Sequence, residues 1–385
     1  MSKTVVILGA GMTGLPLTHY ILDHYASRHD LKVILISRSD EFYWNIASPR
    51  AVIPNQLDDD KVLYSIPETF SRHPVERFEF VVGVAETWYP DRSSVAVVFE
   101  NGGKRVVQYD TIIVATGSDC NDNMPWKMVG SPKETRAVLS KVRTDMFKAH
   151  SIVVAGGGPT GVELAGELGY EYATTGKKKV TLVMADAQPL DTRLMPSTRL
   201  AARKELEKLN VNIISDTKLS RSAANEKGGY TLELTHHNGV KETMHTDILL
   251  PTWGIRYNTS FAPPSLLEPN SRLRVNGTLR SPNYDNVFVV GDAANLDSYA
   301  ARVREAQVRH LASALEKYFP GEDVPEYVAE DKVTMTVAVG RGRGVGQLGN
   351  FGLWTLLVWW FKGRHMCTNI VPEYVRGKTL ILGAF

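Results

Sequence analysis

Two glycine-rich hexapeptides, Gly9-Ala10-Gly11-Met12-Thr13-Gly14 and Gly156-Gly157-Gly158-Pro159-Thr160-Gly161, each follow an aliphatic run and precede helix formers. No other feature of the 385-residue chain restricts its fold as much. In a strand, turn and helix, the first glycine permits the tight bend and the second lets the backbone approach a pyrophosphate. The third packs the helix on the strand, and the helix N-terminal amides face the anion. The preceding strands are Val5-Val6-Ile7-Leu8 and Ile152-Val153-Val154-Ala155. One such hexapeptide is weak evidence because the pattern is short. Two in the same setting, about one domain apart, predict an α/β protein that cradles two dinucleotides.

Charge and cysteine usage narrow the classes that remain. Lys and Arg number 44 against 42 Asp and Glu, a net charge of +2 that gives no general attraction to nucleic acid. The two cysteines, Cys120 and Cys367, lie far apart with no CxxC spacing, so no disulfide framework, zinc site or redox dithiol is expected. His365 and the other histidines show no metal spacing, and no metal is expected either. Met1 leads directly into the first strand, which leaves no room for a secretory or transit segment, and Ser2 in place of glycine removes N-myristoylation. The longest apolar run, between Phe351 and Phe361, is about half of the roughly 20 residues that span a bilayer. A cytoplasmic protein is expected, free or peripheral on a membrane or lipid droplet.

The first unit reads as strand, turn and helix over 18–26, a strand over 32–36, a strand over 78–84 and a hairpin over 95–107 turning at Asn101-Gly102. A buried strand then ends in Ala115-Thr116-Gly117. After a linker rich in Asp, Asn and Pro, the second unit repeats the plan: helix 133–147, strand, turn, helix, strand 179–183, helix 199–209, a hairpin turning at Asn238-Gly239, and a strand ending in Gly254. A strand beginning at Asn286 then delivers Gly291-Asp292. The expected architecture is two Rossmann-like dinucleotide-binding domains, 1–120 with 255–323 and 121–254, plus a small C-terminal α+β segment, 324–385.

With both turns and both strand endings in this order, the chain resembles the two-dinucleotide-binding flavoprotein superfamily of FAD-dependent pyridine nucleotide oxidoreductases. Within it the likeness is to the branch containing the ferroptosis suppressor proteins, with type II NADH dehydrogenases as near relatives. The segments specific to that branch are Tyr43-Trp44-Asn45-Ile46-Ala47-Ser48-Pro49-Arg50, Gly161-Val162-Glu163-Leu164-Ala165-Gly166-Glu167-Leu168 and Val339-Gly340-Arg341-Gly342-Arg343-Gly344-Val345-Gly346-Gln347. The resemblance implies that Gly9, Gly11 and Gly14, with Ala10, Met12 and Thr13 between them, face the FAD pyrophosphate. It implies cofactor contacts from Arg50, from the Val81 backbone at the adenine end, and from Ala115, Thr116, Gly117 and Gly291. Asp292 would accept hydrogen bonds from the ribityl chain or a flavin phosphate-side hydroxyl, although a helix cap is its plainer use; for Arg50 the plainer use is a surface ion pair. Gly156, Gly158, Gly161 and Gly254 would take NADH or NADPH. Glu163 would reach toward the nicotinamide as the catalytic residue, although an acid in a first helical turn is favoured by the macrodipole alone.

Three departures limit what carries over. Where the adenosine ribose of FAD usually meets an acid stand Ser37 and Arg38, so binding there rests on a hydroxyl and neighbouring groups. The second unit has Met184-Ala185-Asp186 at that place, which leaves NADH and NADPH both open. A lysine of some relatives is missing from 297–302.

Without a cysteine pair, reduced flavin must pass electrons directly to a quinone, oxygen or a small electrophile, and the resemblance favours a quinone. The alternatives are a soluble enzyme acting on a dedicated small molecule and a redox-sensing binding protein. The run between Phe351 and Phe361, with Leu353, Leu356, Leu357 and Trp360 at helical spacing and Lys362 and Arg364 after it, suits an amphipathic anchor. A packed helix or a homodimer contact would suit it as well.

Overall fold

The computed structural model describes residues 2–226, 228–296, 300–329, 333–378 and 380; the side chains of 300–305 are not described. Strands Phe78–Val82, Leu31–Ser37, Lys3–Leu8, Thr111–Val114 and Tyr284–Val289 lie side by side in that order, all parallel, and Arg280–Ser281 adds an antiparallel edge. Val5 faces Val33 on one side and Thr111 on the other. A second parallel sheet runs Asn212–Ile214, Lys179–Val183, Ser151–Ala155, Ile248–Pro251. The fold is α/β with two Rossmann-like sheets.

Burial on both faces of these sheets explains their nearly continuous aliphatic sequences. Val5 and Ile7 point into the main core, whereas Val6 and Leu8 point into a second core on the opposite face. Ile152 and Val154 join that same main core, so one apolar layer runs between the two units.

Several elements differ from the sequence reading. The helix expected at 18–26 spans Gly14–His24, starting at the last glycine of the turn itself. The strand expected over 78–84 ends at Val82; Gly83 still donates its N–H to the Ser37 carbonyl at 2.8 Å, and Val84 begins another strand. Val84–Tyr89 then opens a separate antiparallel sheet with Ser94–Val98 and Lys104–Gln108. The helix expected at 133–147 runs Pro132–Lys148 behind a reciprocal cap between Ser131 and Glu134.

The C-terminal segment bridges the two units. Its hairpin, Thr334–Val339 with Arg343–Leu348, packs on helix Pro159–Leu168 so closely that a Cβ on Gly166 would press on the Gly340 nitrogen. The aromatic run that follows is not one helix. Phe351–Gly352 pairs as an edge strand, Thr355–Val358 is a single helical turn, and Trp359–Gly363 is a wider turn closed by Arg364 N–H on the Trp359 carbonyl. Val358 is buried and Leu353 and Leu357 are half-buried, whereas Phe351, Trp354, Leu356 and Trp360 are 78%, 84%, 67% and 58% exposed. The predicted stripe therefore splits between packing and solvent.

Candidate functional site

A cavity of about 640 Å³ opens at the carboxyl ends of Lys3–Leu8 and Thr111–Val114, where the strand order reverses. Gly9, Ala10, Gly11, Met12 and Thr13 form one wall; Ser37, Arg38, Ala115, Thr116, Gly117 and Asp292 complete the expected residues that line it. The three glycines divide the work. A Cβ on Gly9 would collide with the Ala115 carbonyl oxygen and one on Gly14 with the Gly9 carbonyl oxygen, while one on Gly11 would meet nothing within 4 Å. Gly9, at φ +100°, also needs the left-handed freedom of glycine.

The second turn repeats this division. A Cβ on Gly156 would lie 2.6 Å from Thr252 Oγ1 and one on Gly161 would collide with the Gly156 carbonyl oxygen, while Gly158 faces open space. Of the three motif glycines in each turn, only the middle one would place a Cβ in open space, where an anion can approach the backbone. Helices Gly14–His24 and Pro159–Leu168 start at these turns, so their free N–H groups border the same space. That common geometry suits a pyrophosphate at each turn.

Charges in the cavity suit a polyhydroxyl diphosphate. Asp292 Oδ2 accepts from Ser118 Oγ at 2.7 Å and from Lys127 Nζ at 2.7 Å. Arg38 places two guanidinium nitrogens on the Asp119 carboxylate at 2.7 Å each and reaches the Met128 carbonyl at 2.9 Å. Burial pushes the Asp119 carboxyl up, but the Arg38 and Asn258 hydrogen bonds and nearby guanidinium charges outweigh it, so its pKa lies below the ordinary range. Arg38 is thus committed to Asp119, and Ser37 is the strand-end hydroxyl that lines the cavity beside it.

Lys127, Ser118 and Asp119 escaped the sequence reading because they fall in or beside what reads as a linker. That loop is fixed by its backbone: Tyr43 Oη donates to the Pro125 carbonyl at 2.9 Å and Asn45 Nδ2 to the Trp126 carbonyl at 2.8 Å. Trp126 Nε1 in turn donates to the Pro251 carbonyl of the second sheet at 2.7 Å. No motif marks a lysine in such a loop. The only sequence signal was the Tyr43-Trp44-Asn45 segment that holds it.

Other expected residues lie elsewhere. Val81 is in ladder register with Ile36 and does not line the cavity; Gly83, Val84 and Ala85 do. Arg50 is buried outside the cavity lining, with Nη2 2.5 Å from Glu167 Oε1 and donating also to the Gly363 carbonyl at 2.6 Å. It ties the first unit to helix Pro159–Leu168 and to the C-terminal segment. Gly291 stands behind the lining and donates its N–H to Gln307 Oε1 at 2.8 Å. Gly254, at φ +74°, lies against Asn121 where strands Ser118–Cys120 and Ile255–Tyr257 cross between the units. Glu163 is buried, with Oε1 2.6 Å from Lys362 Nζ and accepting the Ala338 N–H at 3.1 Å. The expectation about a lysine at 297–302 lies outside the described side chains.

A family model described as pyridine nucleotide-disulphide oxidoreductase matches residues 3–314. The chain belongs to that family. Its cofactors are FAD and NAD(P)H, and the two glycine cradles suit them. Oxidoreductase ptaL of Pestalotiopsis fici is 32% identical over 98% of this chain and 100% of its own length. Ferroptosis suppressor protein 1 of Xenopus laevis is 26% identical over 95% and 94%. Among solved structures, sulfide:quinone oxidoreductase of Aquifex aeolicus shares the fold at a TM-score of 0.75 and 14% identity, covering 98% of this chain and 92% of that one. The two cysteines, Cys120 and Cys367, stand at separate elements, the first in strand Ser118–Cys120 and the second before the turn Thr368–Ile370. Burial pushes the Cys120 thiol up to about 11, away from the reactive thiolate.

Proposed function

We propose that this oxidoreductase is an NAD(P)H:quinone oxidoreductase. The carrying observation is the missing cysteine relay: the sequence has only Cys120 and Cys367, and they stand at separate elements with no CxxC spacing to relay electrons between the flavin site and an acceptor. The fold shared with a sulfide:quinone oxidoreductase supports a quinone as that acceptor. FAD, when bound, supplies hydride acceptance from NAD(P)H and two-electron transfer onward. Gly11 and Gly158 give their backbones to the two pyrophosphates, Asp292 accepts from the ribityl hydroxyls, and Lys127 offsets the diphosphate charge. Glu163 orients the nicotinamide from the second turn of helix Pro159–Leu168, held there by Lys362.

The exposed Phe351, Trp354, Leu356 and Trp360 are proposed to rest in the headgroup region of a membrane, where a greasy quinone resides. No helix among the described residues is long and apolar enough to cross a membrane. In a liposome co-sedimentation assay, Trp354→Ala with Trp360→Ala lowers the bound fraction severalfold; unchanged binding rejects the anchor. A second copy of the chain covering the same patch would appear as a dimer by light scattering.

A dedicated small-molecule substrate is the second reading, favoured by the higher identity to Oxidoreductase ptaL than to ferroptosis suppressor protein 1. Stopped-flow absorbance separates the two. Bleaching by NAD(P)H with rapid reoxidation by a soluble quinone supports the first; bleaching with no quinone turnover supports the second.

A further inference from the structure

Arg50 reaches two other modules with one buried guanidinium. It sits on helix Ser48–Ala51 of the first unit, is 6% exposed, and makes four hydrogen bonds away from that unit. Nε and Nη2 meet the two carboxylate oxygens of Glu167 at 3.1 and 2.5 Å, a side-on fork. Nη1 and Nη2 donate to the carbonyls of Arg364 and Gly363 at 3.1 and 2.6 Å. Glu167 is 1% exposed, and a second guanidinium lies beyond it, with Arg341 Nε 3.9 Å from Glu167 Oε2.

Both partners of Arg50 adjoin the residues assigned to the nicotinamide. Glu167 comes one turn after Glu163 on helix Pro159–Leu168. Gly363 and Arg364 directly follow Lys362, whose Nζ is 2.6 Å from Glu163 Oε1. The helix and the C-terminal hairpin pack backbone to backbone at Gly166 and Gly340, and Glu163 accepts the Ala338 N–H. They make one packed block, and Arg50 ties that block to the unit carrying the first cradle.

Apolar side chains would hold these surfaces together as well. Replacing a buried ion pair by apolar residues of similar volume is often neutral or stabilising, because desolvation of the charges offsets their attraction. What the pair adds is direction: a planar fork meets a carboxylate in one register and aims its remaining N–H groups at fixed points.

We propose that Arg50 is a positioning residue for hydride transfer, setting the register of helix Pro159–Leu168 and of the Lys362 segment against the unit with the first cradle. The two rings are held by different units, so a contact between those units sets their separation. Transfer needs reacting atoms about 3–3.5 Å apart, and a displacement of about 1 Å costs about 100-fold in rate. Arg50 acts from outside the cavity lining. The inference rests on the reading that the first turn holds FAD, the second NAD(P)H, and that Glu163 meets the nicotinamide.

The test is the stopped-flow rate of flavin bleaching in purified holoprotein at saturating NAD(P)H. A second readout needs no turnover: the long-wavelength charge-transfer absorbance of photoreduced holoprotein mixed with NAD(P)+, which reports stacking of the two rings. The double variant Arg50→Met with Glu167→Met removes both buried charges together. Trp126 Nε1 on the Pro251 carbonyl and the crossing of strands Ser118–Cys120 and Ile255–Tyr257 still join the units. This variant keeps its FAD and its affinity for NAD(P)+, read by quenching of protein fluorescence, while bleaching slows about tenfold or more and the charge-transfer band shrinks. Arg50→Lys, which keeps the charge but not the fork, bleaches at an intermediate rate. A merely structural pair would lower Tm yet leave rate and band at wild-type values, and that result overturns the inference. Slow bleaching that traces to lost FAD or weaker NAD(P)+ binding overturns it too. If the double variant does not fold, Arg50→Lys still decides: slower bleaching and a smaller band with FAD retained support the inference, and wild-type values overturn it. Wild-type protein that shows neither bleaching nor the band defeats the reading of the two cradles, and the inference with it.

Discussion

A single methyl group separates the functional glycine of each cradle from the structural ones. Gly158→Ala adds a Cβ into space with no atom within 4 Å, at a φ of −71° that any residue accepts. It is expected to fold and keep its flavin, with the apparent KM for NAD(P)H raised about tenfold or more because the methyl occupies the pyrophosphate's place. Gly161→Ala drives the same methyl into the Gly156 carbonyl and should lower Tm or yield little soluble protein. An unchanged KM in Gly158→Ala would move the nicotinamide elsewhere. Asp292 carries the other residue-scale prediction. Removing its carboxylate deprives Lys127 of its ion-pair partner and, on the proposed role, the ribityl chain of its acceptor, so Asp292→Ala should retain little FAD, read as flavin released per mole of denatured protein. Full occupancy would take Asp292 out of the site.

Among the elements, the tail over 371–378 carries a pH dependence. His19 is fully buried on helix Gly14–His24; because a carbonyl only accepts, its Nε2 carries the proton given to Val375, and its Nδ1 accepts from His73 Nε2 at 3.0 Å. Burial first, then the charges of His73 and Arg72, lower its pKa from 6.5 to about 3, against smaller upward pulls from the Val375 carbonyl and Asp23. His73, also lowered, faces Arg72 and Asp23. Between pH 6.5 and 3 the unfolded chain therefore binds a proton that the folded chain refuses, and stability falls as pH drops through that window. The slope is about 1.4 kcal/mol per pH unit for one such group. Denaturant titrations at pH 7 and pH 5 should show this loss in wild type and a shallower one in His19→Gln; equal slopes would contradict the assignment. The elements also show what was readable beforehand. The strand, turn and helix units were legible because their demands are local: aliphatic runs, glycines at fixed offsets, the Ser131 and Glu134 cap. The bonds from the Tyr374 hydroxyl to the Met12 carbonyl and from His19 to the Val375 carbonyl were not, because they join residues more than 350 positions apart through backbone groups that carry no side-chain signature.

For the whole molecule, three modules meet along one helix. Glu163, Glu167 and Glu171 follow one another at four-residue spacing from helix Pro159–Leu168 into the next turn. They engage Lys362 and Arg50, and Gln56 donates to Glu171 at 2.9 Å. These pairs join the first unit, the second and the C-terminal segment. The duplicated plan was visible in the sequence, and with it the cofactors; Arg50 was legible as a site residue only through resemblance, and its partner Glu167 shows why position alone misled. A residue at a motif's end can hold modules together rather than touch a ligand. Two separate cradles are proposed to bring a flavin and a nicotinamide together in one chain. Anaerobic titration of the purified yellow protein with NADH and with NADPH, followed in the visible spectrum, tests it most directly. Full bleaching near one equivalent of at least one nucleotide is expected, with a greatly weakened response in Gly158→Ala. A folded protein whose flavin absorbance neither nucleotide alters would contradict it.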